Sequence, residues 1–289
     1  MGGGSWNAST FRTYTTSVKN MAMSSSGAVV LDGLSYQDNF KNVSIDPLLN
    51  PKNVMRECRD SEEHPNTIPV IIAVDVTGSM TTAGMEVASK IGIIVQSLFD
   101  KYDDIQICCM GIGDLAYDDA PIQIGQFESD IRIAEQLDKI YFERGGGGNG
   151  FESYTAAWYY GLRHCDLDCW KRGKKGIIIT TGDEPLNPYL PKHQLSRVSG
   201  DGVEADIETD RLYEEASQKF DIYHIAVDDI ATSYAWYRKN IQSSFGKILP
   251  EGHLLESTMD GLAASILKCI DDALSNSGNN GNDKDGISW

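Results

Sequence analysis

The sequence is short of positive charge, of clustered histidine and of long apolar runs. It carries 25 Lys+Arg against 42 Asp+Glu, a formal net charge of −17. So large an excess repels phosphate backbones and anionic lipid surfaces, which argues against nucleic acid and membrane as partners. The one dense basic stretch, Arg163, His164, Lys171, Arg172, Lys174 and Lys175, reads as a solvated helix end and loop. No apolar run approaches the roughly 18 residues that span a membrane. The longest, residues 68–74, has the length of a strand. Residues 1–6 are Gly-rich and polar and no apolar segment follows, so no secretory signal is expected and the chain is assigned to the cytoplasm.

Other absences narrow the chemistry. The five histidines (His64, His164, His193, His224, His253) are scattered. His224 falls inside an apolar run and reads as a core residue. There is no P-loop and no nucleophile elbow. Gly111-Ile112-Gly113 follows an apolar run but lacks the third glycine of a dinucleotide site. Cys108 and Cys109 would point to opposite faces of a strand, and Cys58 and Cys269 are isolated. Cys165 and Cys169 would share one helical face, yet no second Cys/His pair stands at zinc spacing, so the thiols read as structural.

What is present is enough apolar material, 41% of 289 residues, for one large domain with a buried core. Residues 1–66 are rich in Ser, Asn, Gly and Thr and read as a partly ordered N-terminal extension. Residues 67–275 form the domain, and 276–289 a flexible tail. Within the domain, apolar runs alternate with amphipathic stretches. Strands are expected at 68–74, 105–112, 176–180 and 221–227, with a short last strand at 254–255. An antiparallel edge strand is expected at 122–127. Helices are expected at 83–102, 131–141, 153–163, 205–220, 231–242 and 260–274, and a long connection at 186–204. The pattern predicts an α/β fold: a three-layer, Rossmann-like open sheet, mostly parallel with one antiparallel edge strand, helices on both faces.

In such sheets ligands gather beyond the carboxyl ends of the strands. Three polar loops fall there. Asp75-Val76-Thr77-Gly78-Ser79 follows the first strand and offers a carboxylate and two hydroxyls from one tight turn. Gly182-Asp183-Glu184-Pro185 follows the strand at 176–180. The Gly-rich loop 145–152 brings Asn149 and Glu152 to the start of a helix, where Asn149 could equally be an N-cap or turn residue and Glu152 a helix-start acid interacting with the dipole. Oxygen-only donors suit a hard cation.

These motifs resemble von Willebrand factor A domains. Asp75-Val76-Thr77-Gly78-Ser79 is similar to the Asp-x-Ser-x-Ser motif that opens their metal-dependent adhesion site, with Thr77 in place of Ser. Gly182-Asp183-Glu184-Pro185 is similar to the later aspartate motif in the Gly-Asp-x-Pro form of some bacterial members, and 145–152 to their Gly-rich loop. The resemblance covers roughly residues 67–270. It implies metal ligation by Asp75, Thr77, Ser79, Asn149 and Asp183, with Glu152 and Thr155 as the other third-loop candidates. The ion implied is Mg²⁺, with Mn²⁺ or Ca²⁺ as substitutes. The function implied is that of a non-enzymatic module binding a partner protein's acidic residue through the ion. Many bacterial relatives work beside AAA+ ATPases of the MoxR type, and self-association is left open. Two alternatives stand beside this reading. One is an interaction protein whose metal site is vestigial. The other is a haloacid-dehalogenase-like phosphotransferase with Asp75 as nucleophile, which lacks the second Asp at position 77.

Overall fold

The computed structural model describes residues 4–30, 40–143, 149–227 and 235–279, the side chains of residues 79, 82, 235–238 and 276–279 apart. The expected tail lies almost wholly outside these residues, as do 145–148 of the Gly-rich loop and the start of the helix expected at 231–242.

A six-stranded sheet organises the chain. Its strands are β2 (Ile68–Asp75), β3 (Ile105–Ile112), β4 (Ile122–Ile124), β6 (Gly176–Gly182), β9 (Phe220–Val227) and β10 (Leu254–Ser257), in the order β10-β9-β6-β2-β3-β4. All neighbours are parallel except β3 and β4, whose register places Met110 opposite Ile124 and Ile112 opposite Ile122. Only the edge strand is antiparallel, as expected. In chain order this is 3-2-1-4-5-6, and the order reverses between β2 and β6.

The sheet is apolar on both faces because helices cover both. Val70, Ile72 and Val74 of β2 face one core with α2 (Thr81–Phe99), α3 (Arg132–Leu137) and α8 (Leu262–Asn279). Ile71 and Ala73 face the other, with α4 (Thr155–Arg163), α5 (Lys192–Ser199), α6 (Thr209–Ala216) and α7 (Ala235–Phe245). Cys109 and Cys108 divide between the two cores as strand alternation requires. The described cysteines are all buried and free. Cys165 and Cys169 do not share a helix: Cys165 sits in the short strand β5 (Cys165–Leu167), Cys169 in the 3-10 turn Asp168–Arg172.

The N-terminal segment belongs to this body. Asn7 caps α1 (Ala8–Thr13), its Oδ1 accepting from the amides of Ser9 and Thr10 at 2.9 and 3.1 Å. Trp6, Phe11, Met21, Val29, Phe40 and Leu49 join the first core. Phe11 lies over Gly92 of α2, where an added Cβ would overlap its ring. Further on, β1 (Arg56–Cys58) pairs in parallel with β5, and Cys58 joins the second core.

Two stretches differ from expectation. The helix expected at 205–220 begins only at Thr209, because Ile207 and Glu208 form β8 against β7 (Tyr189–Leu190), a pairing no local pattern announces. The connection 186–204 holds helix α5, which buries only Leu195 and Ser199 and ends at Gly200 with φ +86°. The basic stretch is paired: Arg163 with Glu215, Arg172 with Asp60, Lys171 with Asp168, Lys175 with Asp221.

Candidate functional site

The order reversal brings the carboxyl ends of β2 and β6 side by side, and the first and second acidic loops pack together over them, a place called the crevice below. Asp75 is the last residue of β2 and has no exposed surface. Its Oδ1 accepts from the Thr77 amide at 2.9 Å and from the Thr77 hydroxyl at 2.6 Å. Its Oδ2 accepts from the Tyr154 hydroxyl at 2.7 Å. Asp183, one residue past β6, is 6% exposed. Burial, and then the charge of Asp183, push the Asp75 carboxyl well above the usual range despite the three donors. The two aspartates from neighbouring strands therefore share one electrostatic site.

The loops are stitched together. The Glu143 amide donates to the Val76 carbonyl at 2.9 Å, and the Ser153 amide to the Gly113 carbonyl at 3.3 Å. Glu152 forms an isolated parallel bridge with Leu186. The Tyr154 hydroxyl, besides donating to Asp75, accepts from the Glu184 amide at 3.3 Å. Tyr154 thus ties the end of β2 to the loop after β6. Its ring packs against His224 and Phe245. Gly182 has to lack a side chain here, since a Cβ would overlap the Tyr154 hydroxyl. His224 is a core residue, as expected. Its Nδ1 meets the Thr180 hydroxyl at 2.8 Å while Nε2 has no partner, and burial pushes the imidazole down to about 3.

Of the five residues singled out as ligands, Asp75, Thr77 and Asp183 meet in this crevice. Ser79 lies in the 3-10 turn Gly78–Met80 directly above β2; its side chain is outside the described residues. Asn149 is engaged within its own loop, its Oδ1 accepting from the Phe151 amide at 3.5 Å. Among the other third-loop candidates, Thr155 is fully buried and clamped to Asn187, whose Nδ2 donates to its hydroxyl at 2.6 Å. Glu152 is 4% exposed.

Further carboxyls flank the crevice. Asp114 and Asp118 follow β3, and Glu184 follows Asp183. Burial and then Asp183 and Asp75 push Glu184 up to about 7, and burial holds Asp118 at about 6. Glu152 is raised further, by burial and then by Asp75, Asp118, Asp114 and Glu184. Glu152 Oε2, Glu184 Oε2 and Asp114 Oδ2 are buried without a hydrogen-bond partner. Among the described residues no three His, Cys, Asp or Glu side chains are arranged to hold a metal ion by themselves. A cation here would depend on hydroxyls and water beside the carboxylates. The donor set suits that: it is all oxygen, and it holds orphaned oxygens that a hard ion or its waters would satisfy.

No known family model matches the sequence, and no curated protein matches it. Solved structures do resemble its chain trace. The pilus adhesin SpaC from Lactobacillus rhamnosus GG is 12% identical over 78% of this chain and 31% of its own, with a TM-score of 0.49. The chain thus spans about a third of SpaC. The vWF domain of the type V pili tip protein Mfa5 from Porphyromonas gingivalis is 10% identical over 77% of this chain and 98% of its own, TM-score 0.46. Proximal thread matrix protein 1 from the mussel byssus is 12% identical over 74% and 49%, TM-score 0.46.

Proposed function

We propose that this chain is a divalent-metal-dependent protein-recognition module of the von Willebrand factor A type, acting inside the cell. The observation that carries the reading is the meeting of Asp75, Thr77 and Asp183 at the order reversal of the sheet, beside buried oxygens that lack partners. Asp75, Thr77, Ser79 and Asp183, with one donor from the loop ahead of Thr155, would hold Mg²⁺, or Mn²⁺ or Ca²⁺ in its place. Bound there, the ion would supply an electrophilic position for a carboxylate from a partner protein.

The residues define how that position is offered. Thr77 contributes a neutral oxygen, which leaves more of a cation's charge for an incoming anion than a carboxylate would. Tyr154 and the Thr77 amide orient Asp75, and the interstrand stitching fixes the spacing between the ends of β2 and β6. The burial of Asp75, with both oxygens engaged, counts against an aspartyl-phosphate route, which needs an exposed nucleophile. The saturated Asp75 also gives the vestigial-site reading its specific support, since in that case hydrogen bonds alone would hold the crevice closed.

The experiment is affinity capture from the native host with the full chain in Mg²⁺, in EDTA, and as Asp75→Ala. Retention of a partner, an AAA+ ATPase of the MoxR type being the first candidate, should need both the ion and Asp75, and should return when Mg²⁺ is restored. Identical partners under all three conditions would rule out metal-bridged recognition.

A further inference from the structure

We infer that the surface beside the edge strand β4 docks a second protein, through a short segment that carries an acidic side chain next to an apolar one. This surface is distinct from the acidic loops over β2 and β6 and needs no cation. A cavity of about 260 Å³ lies there between three stretches far apart in sequence: residues 45–52, residues 119–122 at the start of β4, and the last turn of α5. Ile45, Ile122 and Val198 give it an apolar lining. Its charges are Lys52, Arg197 and Asp119, two cations to one carboxylate in a chain of net charge −17. Lys52 and Arg197 are both exposed, and neither side chain has an ion pair or hydrogen bond among the described residues. Elsewhere cations are matched, as Arg163, Lys171, Arg172 and Lys175 are. Arg197 suits the last turn of a helix on its own account, but Lys52 stands in a turn and has no such use.

The exposed apolar side chains fall on the same stretches. Of the six large ones among the described residues, Val43, Leu48 and Met55 stand on 43–55 and Tyr117 on the loop 113–121 that runs into β4; they are between 53 and 80% exposed. Apolar groups left in water around a cavity mark a place where another protein binds. The walls are held firm without one. The Asn53 amide donates to the Ser199 carbonyl of α5 at 2.7 Å, and the Gly113 amide to the Pro121 carbonyl at 2.7 Å. Arg56 Nη2 donates to the carbonyls of Leu48 and Ile124 at 2.9 and 2.7 Å. The amides of Tyr117 and Asp118 both donate to the Asp114 carbonyl, at 3.2 and 2.9 Å. A surface ordered in advance loses little entropy when it is covered. The Arg56 guanidinium also occupies a carbonyl of the edge strand, so a partner meets side chains here and does not extend the sheet. Charge selects the partner: Arg197 can hold a carboxylate through two parallel hydrogen bonds, Lys52 adds a second cation, and the lining takes an apolar neighbour.

The test is selection of a random-peptide phage library on the full chain in EDTA, which silences any cation site. The enriched peptide is then synthesised and titrated by fluorescence anisotropy against wild type, the double variant Lys52→Glu/Arg197→Glu, and Leu48→Ser. All three side chains are exposed, so the variants should melt with wild type. The enriched peptides should share an Asp or Glu beside an apolar residue and should bind more weakly as salt rises. The double variant should weaken binding by about tenfold or more, and Leu48→Ser should weaken it less. Hydrogen exchange on wild type gives a second readout that no variant can spoil: the peptide should slow exchange in 45–56 and 117–122. No enriched peptide, enriched peptides without an acid, equal affinity for the folded double variant, or protection confined to other residues would each overturn the docking surface. Sedimentation velocity decides the remaining occupant. A wild-type dimer that the double variant turns into a monomer would assign the surface to a second copy of this chain and overturn docking of a different protein.

Discussion

Removing the Tyr154 hydroxyl tests whether the crevice is held closed by hydrogen bonds. The phenol is wholly buried, donates to Asp75 Oδ2 at 2.7 Å and accepts from the Glu184 amide at 3.3 Å. Tyr154→Phe keeps the ring, and with it the packing on His224 and Phe245, so no cavity term enters. A hydrogen bond to a charged partner contributes about 1.5–3 kcal/mol, and stranding the Glu184 amide adds about 1 kcal/mol. Asp75 retains its two bonds from Thr77, which favours the low end, about 2–3 kcal/mol. For a chain of 289 residues, at about 2.1 cal/mol/K of unfolding entropy per residue, that corresponds to a melting temperature lower by roughly 3–5 °C. Tyr160→Phe is the control: its hydroxyl is buried with no partner, so its removal should be neutral or stabilising. Differential scanning calorimetry of both variants in EDTA decides the matter. Equal, small effects would show that the Tyr154 hydroxyl holds nothing together and that the loops are fixed otherwise.

Other expectations can be checked on the same material. Gly182→Ala forces a methyl into the Tyr154 hydroxyl and should destabilise by about 1–3 kcal/mol in urea unfolding; a neutral result would contradict the packing at the crevice. Phe11→Ala should cost about 3–5 kcal/mol and expose the N-terminal segment to protease, whereas an independent extension would lose nothing. Glu184 and Asp118, raised to about 7 and about 6, hold protons in the folded chain that the unfolded chain has already released. In EDTA these two groups therefore lower stability as pH rises from about 4 to about 7, with no further change above. His224, pushed down to about 3, acts in the opposite sense and removes stability as pH falls below about 6.5. Glu184→Gln should accordingly flatten the decline of the urea midpoint between pH 5 and pH 8; an unaltered slope would show that Glu184 titrates normally.

The central strands are legible in the sequence because a strand covered on both faces must be continuously apolar, and residues 68–74 and 105–112 have no other use. From there, Asp75 and Asp183 follow as the last residue of β2 and the first residue past β6. Tyr154 was not legible. Nothing in its spacing distinguishes it from any aromatic at a helix start, and its role exists only because two distant strand ends meet over its hydroxyl. Asp114 and Asp118 did carry a signal, since they follow β3 at the same rim, but the glycines before them drew the comparison toward nucleotides. β7 and β8 were missed because each is two residues long and is defined only by the other. The β1–β5 pair joins residues more than a hundred positions apart, beyond the reach of any local pattern.

The most direct measurement is an anomalous difference map from crystals soaked in MnCl₂. A single strong peak should stand in the crevice between the ends of β2 and β6, within direct or one-water reach of Thr77, Asp75 and Asp183. A crevice without a peak at saturating Mn²⁺, or an ion bound only away from these residues, would contradict cation-dependent recognition at this site.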